Sequence, residues 1–113
     1  MKKKELRVRC WIEIDGTKFF GPGPAELIER IQKEGSIAKA AKEMGMSYKK
    51  AWDIIENLNT RSKLKLVNSF KGGIQGGRAQ VTEHGQKIVV HYRKLNDKLN
   101  KLIRKEGKIL KLI

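Results

Sequence analysis

The stretch that most constrains this chain is residues 36–59, S-I-A-K-A-A-K-E-M-G-M-S-Y-K-K-A-W-D-I-I-E-N-L-N. Ile37, Ala40, Ala41 and Met44 fall at i, i+3, i+4 and i+7, the apolar stripe of a short amphipathic helix. Ser36 stands where an N-cap belongs, and Gly45 where a left-handed residue ends a helix. Ser47 offers a second N-cap, and Ala51, Ile54, Ile55 and Leu58 repeat the stripe. Two helices joined by a turn of about three or four residues containing glycine form the helix-turn-helix pattern. The paired alanines suit helices that cross steeply, where only small side chains fit. Periodicity alone fits an ordinary pair of core helices equally well, so the flanking sequence has to decide.

Composition narrows the choice. At 113 residues, 39% hydrophobic and 34% charged, the chain suits one globular domain spanning 1–113. Its formal net charge of +14 attracts a polyanion, either nucleic acid or an anionic membrane surface. It contains no run of apolar residues long enough to span a membrane. Met1 to Lys4 looks like the start of a signal peptide, but the charged residues of Glu5 to Arg9 break any apolar region after it. The single cysteine, Cys10, excludes an internal disulfide and fits a reducing, intracellular setting.

Along the chain, Leu6, Val8, Cys10, Ile12 and Ile14 alternate with polar residues and Trp11, which predicts a half-buried strand. Asp15-Gly16 is a two-residue hairpin turn, with residues 17–20 returning, so an N-terminal hairpin is expected over 5–20. Pro24 suits the first turn of a helix carrying Leu27, Ile28 and Ile31 and stopped by Gly35. A tri-helical core over 24–60 follows, with helices at 24–34, 36–44 and 47–60. Leu64, Leu66, Val67 and Phe70 read as a strand, residues 78–81 as its partner, and 71–77 as a glycine-rich connection. A hairpin over 64–82 placed behind a helix-turn-helix is a wing.

Thr82 is a candidate cap for a last helix over 83–105, although Gly85 weakens its first turn. In that helix Ile88, Tyr92, Leu95, Leu99 and Leu102 recur at heptad spacing, the seam of a dimer helix. The fold class expected is mainly α with small β: a winged helix-turn-helix with an N-terminal hairpin and a long C-terminal dimerisation helix.

The charge is unevenly placed. No acidic residue lies between Glu56 and Glu83, whereas Arg61, Lys63, Lys65, Lys71 and Arg78 do. A charge run is commonly just a solvated face; its coincidence with the helix-turn-helix favours phosphate neutralisation. On the second helix the first turn, Tyr48, Lys49 and Lys50, faces outward and is the expected base-contacting end. Trp52 serves packing or DNA contact equally well, and Asp53 would meet a base donor or a neighbouring cation.

The glycine-rich connection lacks the G-x-x-x-x-G-K-[ST] order of a phosphate loop. His84 and His91 have no partner at metal-ligand spacing, and no nucleophile–base pair is present, so neither an enzyme nor a cofactor is expected. Cys10, on the apolar face of its strand, reads as a buried, inert thiol. Two other classes stay open: a non-specific architectural DNA- or RNA-binding protein, and a protein-interaction adaptor using the last helix.

The residues carry a further likeness. Gly35-Ser36-Ile37, the block Ser47-Tyr48-Lys49-Lys50-Ala51-Trp52-Asp53, the paired glycines 72–73 and 76–77, and Val81-Thr82-Glu83-His84-Gly85-Gln86 resemble the N-terminal DNA-binding domain of ModE-family molybdate-responsive regulators. The likeness runs over about residues 6–104, and its fold is shared with LysR-type regulators. It implies a homodimeric transcription factor on a palindromic operator in double-stranded DNA. It places the contacts on Ser47, Tyr48, Lys49, Lys50 and the wing, including Lys71 and Arg78; Ser36, Trp52, Asp53, Arg61 and Lys63 complete the candidate DNA-binding set from their place in the helix pair and the basic segment. Members of the family carry C-terminal molybdate-binding modules. The chain ends soon after the last helix, so molybdate sensing is not carried over and any effector is unknown.

Overall fold

The computed structural model describes residues 2–70 and 77–113. Two short strands open it, β1 (Ile12–Ile14) and β2 (Thr17–Phe20), paired antiparallel. Asp15 and Gly16 both take positive φ, 50° and 79°, so the turn has the hand that matches strand twist. The strand expected from Leu6 is much shorter. Pairing ends at Ile12 opposite Phe20, because β2 gives way to Gly21 and a helix, leaving no strand for earlier residues to pair with. Leu6 and Val8 are exposed, and Cys10 is half-buried rather than fully sheltered.

Helix α1 (Pro22–Glu34) begins on a proline, where a missing N–H costs nothing, and ends at Gly35 with φ 67°. Helix α2 (Ile37–Glu43) and helix α3 (Tyr48–Arg61) follow, separated by Gly45, also at φ 67°. Their crossing is built on Ala40, Ala41 and Ala51, all at most 1% exposed. Arg30 bonds Glu43 at 3.0 Å and braces α1 against α2. A hydrogen bond shared between the Glu34 and Glu43 carboxyls raises the pKa of Glu34 and lowers that of Glu43.

Strands β3 (Val67–Phe70) and β4 (Arg78–Val81) form the wing, in register from Val67↔Val81 to Phe70↔Arg78. Leu64 lies outside the strand and is exposed, while Leu66 is fully buried. Helix α4 (Glu83–Lys105) runs on from the wing into a 3₁₀ segment, Gly107–Leu112. The fold is a winged helix-turn-helix. One hydrophobic cluster joins Phe20, Leu27, Ile28, Ile31, Leu58, Leu66 and Val67 to Val89 and Tyr92 of α4.

Tyr92 corrects the heptad reading. It is 3% exposed, packs edge-on against Phe20 at 5.2 Å, and its hydroxyl donates to the Cys10 carbonyl at 2.7 Å. Tyr92 therefore belongs to the chain's own core and not to a seam. Beside it Arg93 grips Glu29 through two bonds of 3.1 and 2.6 Å, tying α4 to α1. That carboxylate also pushes the Arg93 pKa up. Of the other seam positions, Ile88 packs partly on the core, Leu99 is half-buried, and Leu95 and Leu102 stay exposed.

Candidate nucleic-acid interface

The starts of the paired helices are set by local chemistry. The Ser36 hydroxyl accepts from the Lys39 amide at 3.2 Å and starts α2. The Ser47 hydroxyl accepts from the Lys50 amide at 3.0 Å and starts α3. Ala51, Ile55 and Leu58 then turn into the core, which rotates Tyr48, Lys49, Lys50, Trp52 and Asp53 outward. Tyr48 and Trp52 are 48% and 41% exposed, large aromatic surfaces left to solvent. Lys49 pairs with Asp53 one turn on, at 3.3 Å; the pair is exposed and its contribution to stability is small.

The residues expected at the interface do not all gather there. Ser36 is buried, with its hydroxyl committed to the cap, so it is a structural residue. Arg61 is the larger correction. Its guanidinium donates to the carbonyls of Lys18 at 2.8 Å and of Ile14 and Thr17 at 3.2 Å, and lies over the Phe19 ring. It clamps the β1–β2 turn to the end of α3 instead of reaching outward. Lys63 and Arg78 are exposed, near the start of the wing and on β4. Lys71 and the glycines at 72, 73 and 76 lie outside the described residues.

Two residues outside the expected contact set shape this face. Asn59 joins α3 to the wing: its side-chain oxygen accepts from the Leu66 and Val67 amides at 2.9 and 3.2 Å. Its side-chain nitrogen donates to the Val67 carbonyl at 2.9 Å. Asn59→Ala leaves two amides without an acceptor, and should lower stability by about 2 kcal/mol in urea unfolding. Phe70, 53% exposed, lines a cleft of about 520 Å³ with Gly35 and Arg78, between the end of α1 and the wing.

Among the described residues no cluster of metal-ligating side chains occurs, and no helix is long and apolar enough to cross a membrane. His84 instead shares a hydrogen bond with the Ser62 hydroxyl at 3.2 Å.

Comparison with known proteins agrees with this geometry. The molybdenum transport protein ModE of Azotobacter vinelandii is 48% identical over 95 residues, covering 84% of this chain and 35% of that protein. The DNA-binding transcriptional dual regulator ModE of Escherichia coli (strain K12) is 40% identical over 88 residues, 78% of this chain and 34% of its own length. The molybdenum-pterin-binding protein MopA of Rhodobacter capsulatus is 36% identical over 103 residues, 91% of this chain and 39% of its own. The chain thus spans little more than a third of the length of these relatives. Residues 25–86, from the start of α1 into α4, match the bacterial regulatory helix-turn-helix proteins of the lysR family. The chain belongs to that family, and the paired helices α2 and α3 are its helix-turn-helix.

Proposed function

We propose that this chain is a sequence-specific reader of double-stranded DNA that regulates transcription as a homodimer. Each protomer lays α3 in a major groove, with Tyr48, Lys49 and Lys50 at the base edges and Lys63, Arg78 and Lys71 along the backbone. The observation that carries this reading is the first turn of α3, where two lysines and an exposed tyrosine stand at a helix start with no acidic residue. Selection from random duplexes should recover a palindrome, and the log of the binding constant should fall with log salt by several units. Uniform recovery of all sequences would leave only non-specific binding, and a flat salt response would remove the DNA assignment. Relatives named for molybdenum transport and molybdenum-pterin binding make promoters of molybdenum-handling genes the first to test.

The dimer is supported by Leu95 and Leu102, 44% and 55% exposed and one heptad apart on α4. Leu95→Lys should give a folded monomer by sedimentation, because burying an unpaired ammonium at a seam costs more than the contact returns. Its affinity for a full palindrome should fall to that for a half-site. A dimer that survives this change places the contact elsewhere.

A further inference from the structure

We infer that the cleft between the N-terminal hairpin and the start of α1 is a binding site for a small aromatic anion. The cleft encloses about 400 Å³, within the range of small-molecule sites. Its floor is apolar, made by Phe20 of β2 and by Ile54 and Leu58 of α3. Its wall is the Trp11 ring, held in place from two directions. The Lys18 ammonium lies over the ring at 4.5 Å, and the indole N–H donates to Glu13 at 2.8 Å. Gly21 lets that wall approach, since a Cβ there would stand 3.1 Å from the Trp11 Cβ.

The polar groups of the cleft are of one kind. Arg9 and Lys18 line it and no carboxylate does; among the described residues neither makes an ion pair. The Asn57 amide adds a neutral donor from α3, and the first turn of α1, free of acidic side chains, adds the positive end of a helix. A flat ring matches the apolar floor and the Trp11 wall, and a carboxylate on it matches the two cations. A ligand seated there touches both the hairpin and the second half of the reading helix. The site is separate from the DNA-facing turn at residues 47–50.

The test uses the full chain, labelled with nitrogen-15, titrated with 2-naphthoate and with neutral 2-naphthamide. Saturable shifts should fall on the Trp11 indole N–H, the Gly23 amide and the Asn57 side-chain amide, with naphthoate about tenfold tighter than the amide. Lys18→Gln, on an exposed strand position, should weaken naphthoate about fivefold more than it weakens naphthamide. Equal affinity of acid and amide, shifts centred on Tyr48 or Trp52 instead, or indifference to Lys18→Gln would each overturn the proposal.

Discussion

Gly85→Ala should lower the melting temperature by about 10 °C, as a net destabilisation near 2 kcal/mol implies for a domain of this size. Two effects compete. Alanine is the better helix former, by about 1 kcal/mol, and on that ground alone the substitution would stabilise α4. Against it, a Cβ on Gly85 would fall well inside contact distance of the Leu66 carbonyl oxygen and 3.0 Å from Val81 Cγ1. A backbone oxygen has no rotamer to escape into, so the clash belongs at the upper end of the 1–3 kcal/mol typical of overpacking, or above it.

The oxygen is also fixed by what it holds: the Thr82 amide donates to it at 2.9 Å, and the Thr82 hydroxyl donates to the neighbouring Lys65 carbonyl at 2.7 Å. Thr82 in turn caps α4 by accepting from the Gly85 amide at 3.0 Å. Moving α4 away would break the joint between wing and helix. Gly107→Ala is the control, because nothing stands within 4 Å of its added carbon. Calorimetry showing Gly85→Ala as stable as the parent would refute this account of the joint.

The same glycine shows where sequence reasoning reaches its limit. Propensity counts Gly85 against a helix at that point, yet α4 begins at Glu83 and runs 23 residues. The reason for the glycine is a contact with residue 66, and no local pattern announces a contact across that separation. Arg61 fails in the same way. Its charge is plain in the sequence, but the hairpin carbonyls that engage it are 43 to 47 residues away.

Tyr92 adds a third case. Heptad spacing identifies a face of α4 without saying that the chain's own Phe20 covers one edge of it. Alternation from Leu6 continues past the point where β2 can supply a partner, so the expected strand was too long. What was legible is what local chemistry decides: the Asp15-Gly16 turn, the Ser36 and Ser47 caps, and the left-handed Gly35 and Gly45. The exposure of residues 48–50 belongs with these, because a cap and a period together fix which way a helix faces.

Lys49→Ala combined with Lys50→Ala should abolish recognition of the selected palindrome while leaving the fold as stable as before. Each lysine contributes about 1–3 kcal/mol to specific binding when it reads a base, and together they would remove a factor of about 30 to 10⁴. A lysine that meets only phosphate would instead lower the salt slope by about one and weaken all sequences alike. The two outcomes separate base readout from backbone contact at each position when the single variants are compared.

The stability arm of this prediction rests on the helix itself. Cations in a first turn oppose the macrodipole, an unfavourable arrangement worth about 0.3–1 kcal/mol for each charge at low salt. The exposed Lys49–Asp53 pair offsets it by no more than a few tenths of a kcal/mol. Alanine at both positions should therefore leave the melting temperature unchanged or slightly higher. Under the proposed reading, charges that cost the free protein stability at an outward-facing helix start would be offset when DNA binds there. A double variant that unfolds early, or one that still selects the palindrome, would show that these lysines serve the fold and not the reading.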